Sequence, residues 1–264
     1  MEALLKNTAQ RNEENFDLNI AYFKQNGFCV IKGVFESSDV IKERERVLSI
    51  IQEQKTKESR FVRGSLFLGE ENFLSFSKIP SWCMSRLYEF TWNSMPKSTL
   101  EIHSKAMFVK KHFDYRDEHF GLGVGEKFYG HYLSTSLYPT NPAGYLIEHF
   151  DGHKEDGTIV HYMVPLSNKG SDFSSGGLFI INKSNGKKIL IDDEAKMGDL
   201  IIFDGTLVHG VDKVLASKDQ QMGRLAQFMI STYFEKPNFY SLPLRKIKIF
   251  FKELLNRHGL IQLR

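Results

Sequence analysis

The sequence contains little that would tie it to a disulfide scaffold, a membrane or a nucleic acid. Its 264 residues include only two cysteines, Cys29 and Cys83, which fit neither a metal motif nor a disulfide framework. No apolar run approaches the length that spans a bilayer, and Met1 to Phe16 is too polar for a secretory signal. The 35 basic and 32 acidic residues are mixed along the chain, without the basic stripe of a nucleic-acid-binding protein. We therefore expect a cytoplasmic protein that has neither a membrane nor a nucleic acid as its partner.

The chain has enough apolar residues for one large core, and its pattern changes about halfway along. Hydrophobic residues make up 41% of the sequence, and no repeat or flexible linker divides it. We predict a single domain over 1–264, with a helical and mixed N-terminal part (1–128), a jelly-roll core (129–235) and a C-terminal helix (236–264). In the first part, Phe28–Ile31 has the pattern of a strand, and a helix is predicted from Ser37 or Ser38 to about Gln54.

Short apolar segments separated by turn residues dominate the chain from Tyr129 onward. Eight strands are predicted, near Tyr129–Tyr138, Gly144–Phe150, Thr158–Leu166, Gly177–Asn182, Lys188–Asp192, Asp199–Phe203, Leu207–Val214 and Leu225–Phe234. Eight strands at this spacing are typical of a double-stranded β-helix, the jelly roll of cupin-like proteins. The predicted fold class is therefore mainly β with flanking helices. A two-sheet sandwich without any site would fit the strand spacing equally well.

The second predicted strand ends in a pattern that could bind a metal ion. His149 and Asp151 are two residues apart, so on an extended strand both side chains point to one face and can reach the same ion. This pattern also arises by chance. The sequence contains a second copy, His112 and Asp114, which runs into a charged stretch and is predicted to lie on the surface.

Two later residues extend the first pattern. His209 follows several predicted strands, and two histidines with one carboxylate on one face of an iron ion leave the opposite positions open. Arg224 begins the last predicted strand, and a planar guanidinium can bind a carboxylate through two parallel hydrogen bonds. Taken alone, such an arginine is more often part of a surface ion pair.

The order His-x-Asp, His and Arg on successive strands resembles the Fe(II)/2-oxoglutarate oxygenase superfamily, and within it the phytanoyl-CoA dioxygenase-like branch. Three further segments carry the resemblance, which spans roughly Phe16 to Phe234: Asn26–Phe35, Ser175–Ile180 and Met197–Gly205. It implies that His149, Asp151 and His209 bind Fe(II) and that Arg224 holds the far carboxylate of 2-oxoglutarate. It also implies an enzyme that uses O2 to hydroxylate a C–H bond of its substrate.

The sequence departs from the family pattern at one position. Two other positions narrow the type of reaction and the class of substrate. Many members have Ser or Thr two residues after the arginine, where this chain has Ala226. Tyr132, Ser134 and Tyr162 are candidates for the missing cosubstrate contact. Asp151 occupies the position that halogenating relatives leave to a small residue, so a hydroxylation is favoured. The second arginine of the nucleic-acid demethylases is replaced here by Ile230, which favours a small-molecule substrate such as an amino acid or a natural-product intermediate.

Two other interpretations remain open at the level of sequence. A cupin-like metalloenzyme that does not use 2-oxoglutarate would keep the three ligands without needing Arg224. A non-catalytic jelly-roll binding module would need neither the metal nor the arginine. The pattern leaves the oligomeric state undetermined, with a homodimer as one option.

Overall fold

Three helices and eleven strands make up the structure, a computed structural model that describes residues 17–56, 72–91, 93, 95–114, 129–151, 160–216 and 222–233. The helices are α1 (17–26), α2 (Ser37–Thr56) and α3 (Lys97–Asp114). The first strands are β1 (Phe28–Ile31), β2 (Phe73–Ile79), β3 (Trp82–Phe90), β4 (Tyr129–Tyr138), β5 (Tyr145–His149) and β6 (Val160–Pro165). They are followed by β7 (Ser175–Ile181), β8 (Lys188–Leu190), β9 (Leu200–Asp204), β10 (His209–Leu215) and β11 (Arg224–Tyr233), with a 3-10 turn at Ile191–Asp193.

The junction between α1 and β1 shows how local sequence starts the fold. Gly27 has a φ of 80°, in the left-handed region that glycine adopts without strain, and its N–H donates to Phe23 O at 2.7 Å. This is a common way to end a helix. The chain then turns directly into β1, which pairs with β9.

The eight strands from β4 to β11 form the predicted jelly roll. In one group the order is β9-β6-β11-β4, in the other it is β5-β10-β7-β8, and all pairs are antiparallel. The chain passes repeatedly from one group to the other, which is the topology of a double-stranded β-helix. β3 pairs with both β4 and β5 and so joins the groups into one curled sheet, while β1 and β2 extend it. The prediction of a mainly β jelly roll with flanking helices is confirmed.

The first group of strands has a different core on each of its two faces, because successive side chains of a strand point to opposite sides. The outer face packs against the helices, and this outer core includes Val47, Ile102, Ala106, Leu133, Val164, Leu225 and Met229. The inner face encloses the barrel interior, whose apolar residues include Met163, Leu178, Ile180, Ile201, Phe203 and Ala226. A one-residue change of register on β4, β6 or β11 would exchange these two sets.

The strands after Tyr129 lie close to their predicted bounds, and the differences fall mostly in the first half of the chain. α3 and the hairpin of β2 and β3 were not predicted as elements. The fifth predicted strand is shorter than expected, because the chain leaves the sheet after Leu190 and enters the 3-10 turn. The predicted C-terminal helix (236–264) lies outside the described residues, and the division at 128 and 235 stays a prediction. None of the helices in the described part of the chain is long and apolar enough to cross a membrane.

Candidate metal centre

Strand pairing brings the two predicted histidine ligands together. β10 lies beside β5 in a register that places His209 opposite His149, and the two ring centroids are 4.3 Å apart. The next paired residues are Val211 and Leu146, so β5 uses one more residue than β10 over this interval. Such a bulge re-aims a side chain and is frequent beside functional sites.

Asp151 completes the group just beyond the end of β5. Its N–H donates to Gly205 O at 2.7 Å, which ties the segment to the turn after β9. Its Oδ2 lies 3.4 Å from Nε2 of His209, and its Oδ1 lies 3.7 Å from Nε2 of His149. One ligand atom from each of the three residues lies within 4.8 Å of the others. The sequence-predicted ligands therefore converge on one point.

The hydrogen bonds of both histidines prepare the same nitrogen for a metal ion. Nδ1 of His149 lies 3.0 Å from Ile147 O, and Nδ1 of His209 lies 2.8 Å from Leu207 O. A carbonyl oxygen only accepts, so each Nδ1 carries the proton and each Nε2 keeps a free lone pair. Burial, followed by the neighbouring His209, lowers the pKa of His149 and favours the neutral ring that a metal ion requires.

A third histidine, His161, lies against the carboxylate and was not among the predicted ligands. Its Nε2 is 3.1 Å from Oδ2 of Asp151 but outside hydrogen-bond geometry, and its ring contacts Phe203 with centroids 5.3 Å apart. Burial acts to raise the pKa of Asp151, but the adjacent ring of His161 outweighs it and holds that pKa well below its usual range. The carboxylate is therefore ionised and ready to bind a cation.

Arg224 lies in the barrel interior and is only 2% exposed. Its Nε donates to Oδ2 of Asp192 at 2.5 Å and one terminal nitrogen donates to Oδ1 at 3.2 Å, while the backbone N–H of Leu178 holds the same carboxylate at 2.6 Å. That terminal nitrogen also contacts the sulfur of Met163 at 3.2 Å, and the other terminal nitrogen, Nη1, has no hydrogen-bond partner. The arginine is thus half satisfied, with one donor group left for a ligand.

The three further candidates for a cosubstrate contact divide between the two faces of the sheet. Tyr132 and Ser134 share a face of β4 that looks into the barrel, since Ser134 stands opposite Phe228, which packs on the interior cluster. Tyr162 is a correction, because it points to the outer face and its hydroxyl lies 2.9 Å from Nδ1 of His103 on α3. Strand alternation on β6 directs Met163 inward and therefore Tyr162 outward.

Ala226 occupies the position where the family pattern has a hydroxyl, and a serine of β4 lies beside it. Ala226 stands opposite Ser136 of β4, so the two side chains are neighbours on the interior face. Ser136 Oγ is buried without a hydrogen-bond partner, and so is Ser134 Oγ. Sequence reasoning missed Ser136, although its place two residues after the candidate Ser134 on one predicted strand pointed to it.

Unsatisfied polar atoms concentrate in the barrel interior. Five buried side-chain nitrogen or oxygen atoms within the described ranges lack a hydrogen-bond partner: Arg86 Nε, Ser134 Oγ, Ser136 Oγ, His161 Nε2 and Arg224 Nη1. All five belong to side chains of the inner face of the sheet. Buried polar groups are normally paired, so this cluster fits a space that holds a polar ligand.

The duplicate His-x-Asp pattern lies far from this chemistry. His112 is exposed near the end of α3, on the helical side of the sheet, which agrees with its prediction as a surface residue. It therefore offers a natural control for experiments on the metal centre.

Comparison with solved structures shows which proteins share this fold. A prolyl-4-hydroxylase from Pseudomonas putida matches with a TM-score of 0.53 at 12% identity, over 84% of this chain and all of its own. A Trichoplax adhaerens prolyl hydroxylase, solved with a peptide of the hypoxia-inducible-factor degradation domain, matches with a TM-score of 0.54 at 16% identity. That match covers 87% of this chain and 93% of the hydroxylase.

A third match comes from nogalamycin biosynthesis. SnoN, a non-haem alpha-ketoglutarate-dependent epimerase of nogalamycin biosynthesis, matches with a TM-score of 0.53 at 11% identity, over 86% of this chain and 89% of its own. No protein-family model and no curated protein matches the sequence. The phytanoyl-CoA dioxygenase-like branch therefore stays a prediction. The chain has the jelly-roll fold shared by prolyl hydroxylases and non-haem alpha-ketoglutarate-dependent enzymes.

Proposed function

We propose that this protein is a non-haem Fe(II)- and 2-oxoglutarate-dependent oxygenase that hydroxylates a C–H bond of a small molecule. The observation that carries the proposal is the convergence of His149, Asp151 and His209 at one point of the barrel interior, within reach of one metal ion. Two histidines and one carboxylate on one face of the ion are the ligand set of non-haem Fe(II) oxygenases. The fold shared with alpha-ketoglutarate-dependent enzymes supports the same conclusion.

The chain holds the metal through Nε2 of each histidine and the carboxylate of Asp151. Backbone carbonyls fix both imidazole rings through Nδ1, which sets the tautomer before the ion arrives. His161 lies beside the same carboxylate and supplies a second contact that orients it. Asp151, rather than a small residue, occupies the third position, which favours hydroxylation over halogenation.

Arg224 holds the far carboxylate of 2-oxoglutarate in this proposal. Its free Nη1 lies in the interior, and the hydroxyls of Ser134 and Ser136 have no other partner. The small side chain of Ala226 lies opposite Ser136 on the same interior face. Guanidinium and hydroxyl groups all donate hydrogen bonds, whereas a carboxylate only accepts them, so the polarity of the pocket matches the ligand.

When bound, Fe(II) and 2-oxoglutarate supply the oxidising power, with O2 converting the cosubstrate into succinate and carbon dioxide and a substrate C–H into C–OH. The protein binds and orients these partners. The substrate approaches from the side of Asp151, whose side chain is 42% exposed, because that of His209 is only 6% exposed. Ile147, Phe150 and Val208, which are close to the ligands in sequence, are exposed apolar residues, and this favours a small organic substrate.

The decisive experiment is an anaerobic titration of the Fe(II)-loaded protein with 2-oxoglutarate, monitored by the weak visible charge-transfer band of the chelate. We expect the band in the wild type and its loss in His209→Ala. His112→Ala is the matched control, since it removes the histidine of the duplicate pattern, and it should keep the band.

Two other results would assign the protein differently. Confirmed iron loading without any band would indicate a cupin-like metalloenzyme that does not use 2-oxoglutarate, with Arg224 serving only its ion pair with Asp192. Failure to bind any divalent metal would indicate a non-catalytic jelly-roll binding module. Gel filtration of the same sample would show whether the protein is a homodimer.

A further inference from the structure

Arg86 lies on the interior face of the barrel, on the strand that joins its two groups of strands. β3 pairs with β4 so that Arg86 stands opposite Ser136, and Ser136 stands opposite Ala226 of β11. Cross-strand partners project to the same face of a sheet, and Ala226 belongs to the interior cluster. The guanidinium of Arg86 therefore enters the same space as that of Arg224.

Arg86 differs from other arginines of the described chain in having no carboxylate partner. Arg44 binds Asp172, Arg46 binds Glu43 and Glu89, and Arg224 binds Asp192. Arg86 donates hydrogen bonds to the Tyr88 hydroxyl at 3.4 Å and the Met84 sulfur at 3.5 Å, the Tyr138 hydroxyl is also within its reach, and its Nε has no partner. Within the described ranges no carboxylate reaches it.

This arrangement is unfavourable for the protein on its own. A guanidinium that is withdrawn from water destabilises the fold unless an opposite charge and hydrogen bonds compensate it. The long hydrogen bonds of Arg86 to a phenol and a thioether supply no opposite charge. An anionic ligand would supply both, so the position is one that binding would stabilise.

Arg86 and its neighbours form a surface with the right chemistry to bind an anion. The hydroxyls of Tyr88, Tyr132 and Tyr138 lie around its charge, and the unpartnered Oγ of Ser136 belongs to the residue opposite. A carboxylate accepts hydrogen bonds through both of its oxygens, whereas these groups donate them. The surface therefore matches a carboxylate in hydrogen-bond polarity as well as in charge.

The electrostatics of two tyrosines show where this surface lies. Burial raises the pKa of Tyr132, and the charges of both Arg86 and Asp151 act on it, so Tyr132 lies near the arginine and near Asp151. Burial likewise raises the pKa of Tyr138, which is within reach of both Arg86 and Arg224. The surface thus borders both the metal centre and the proposed cosubstrate pocket.

We infer that Arg86 is a carboxylate-binding residue of the barrel interior, distinct from Arg224. The identity of its ligand rests on the proposed function: the carboxylate belongs either to 2-oxoglutarate or to the substrate, which is then a small carboxylic acid. In both cases Arg86, and not Arg224 with its charge already neutralised by Asp192, brings the uncompensated positive charge of the site.

The first test needs no ligand. Arg86→Gln removes a partly buried charge that no carboxylate of the described ranges pairs, so its melting temperature should equal or exceed that of the wild type. A structural arginine would give the opposite result, as Arg44→Gln should, because that substitution breaks the bidentate pair with Asp172. A clear drop in the melting temperature of Arg86→Gln would count against the inference, and Arg86→Lys, which keeps the charge, would remain available for the binding test.

The second test measures stabilisation by carboxylates in a thermal-shift titration of the full chain, because a ligand that binds the native state raises the melting temperature. One arm uses 2-oxoglutarate alone. The other adds butyrate, octanoate or phenylacetate in the presence of saturating 2-oxoglutarate. Loss of a charge-assisted hydrogen bond should weaken the affected ligand by at least about tenfold in Arg86→Gln, with partial recovery in Arg86→Lys.

The two arms identify the source of the carboxylate. Weakening in the first arm assigns it to the cosubstrate, and weakening in the second arm alone assigns it to the substrate. Unchanged titrations in both arms, or a wild type that responds to none of these carboxylates, would overturn the inference. The charge-transfer band reports the proposed function separately, since it requires iron and the thermal shift does not.

Discussion

His103 should make the stability of this protein depend on pH between about pH 4 and pH 6.5. It is fully buried on α3, with Nδ1 at 2.9 Å from the Tyr162 hydroxyl and Nε2 at 3.1 Å from Oε1 of Gln227. The amide of Gln227 donates to Glu43 at 2.7 Å, so its oxygen faces the ring. His103 therefore donates through Nε2 and accepts through Nδ1, which requires a neutral ring.

The magnitude follows from the pKa of this ring. Burial lowers the pKa of His103 to about 4, against an ordinary value of 6.5. The unfolded chain takes up the proton first as the pH falls, so the stabilisation is complete above pH 6.5 and is lost between there and about pH 4. Each pH unit in this interval costs about 1.4 kcal/mol, and the whole interval costs about 3 kcal/mol.

Urea unfolding of the wild type and of His103→Gln at a series of pH values isolates this contribution. Other groups, including Glu43 with its lowered pKa, titrate in both proteins and cancel in the difference. The difference in the free energy of unfolding should therefore change by about 1.4 kcal/mol per pH unit below 6.5 and stay constant above it. The control is His112→Gln, which replaces an exposed histidine of the same helix and should follow the wild-type profile.

Parallel profiles for the wild type and His103→Gln would refute a buried neutral histidine. Nitrogen chemical shifts of the imidazole offer an independent check, because they distinguish a ring protonated at Nε2 alone from one protonated at both nitrogens. Observation of the doubly protonated ring at neutral pH would contradict the hydrogen-bond assignment itself.

Two further substitutions test residues that lie against the carboxylates of the site: Gly177 beside Asp192, and His161 beside Asp151. Gly177→Ala would place a Cβ 2.3 Å from Oδ2 of Asp192 at a φ of 111°, so it should weaken 2-oxoglutarate binding and cost more free energy of unfolding than Gly170→Ala. The latter has a φ of 98° with open space around it, and backbone strain alone costs about 1–3 kcal/mol. His161→Phe removes a neighbour of the Asp151 carboxylate and should weaken Fe(II) binding by about tenfold or more in a chelator competition, whereas unchanged affinity would show that this contact is dispensable.

The second half of the fold was predictable because its strands are short, apolar and separated by turn residues. The predicted bounds of the first strand, Tyr129–Tyr138, agree with β4. The hairpin of β2 and β3 was missed because its polar residues interrupt the alternation of apolar and polar side chains that identifies a strand. Arg86 and Glu89 of β3 are examples, since their burial depends on residues from other parts of the chain, as in the pair of Glu89 with Arg46. Local pattern cannot report such tertiary compensation.

The convergence of the three candidate metal ligands was predictable because their residue types and order are specific, and strand alternation needs no tertiary knowledge. Tyr162 was a wrong candidate because the inner face of β6 could not be chosen before the partners of that strand were known. His161 and Arg86 were missed for the related reason that neither has a motif. The role of each can be inferred only from a neighbour that is distant in sequence: Asp151 for His161, and Ser136 for Arg86.

Buried polar groups are hydrogen-bonded on the outer face of the barrel sheet, whereas several on the inner face are not. We therefore expect the outer groups to contribute to stability and the inner groups to ligand binding. On the outer face Glu43 accepts hydrogen bonds from Arg46, Thr99 and Gln227, and the chain continues to His103 and Tyr162. On the inner face five buried atoms of the described residues have no partner.

Because an unpaired buried group destabilises the native state while a satisfied network stabilises it, substitutions on the two faces should differ in sign. Removing Glu43 or His103 should lower the free energy of unfolding. Removing the polar groups of Arg86 or Ser136 should leave the free energy of unfolding unchanged or raise it, while weakening the binding of the ligand. Opposite changes in stability for substitutions on the two faces of one sheet would show that the unpartnered polar groups of the interior serve ligand binding rather than folding.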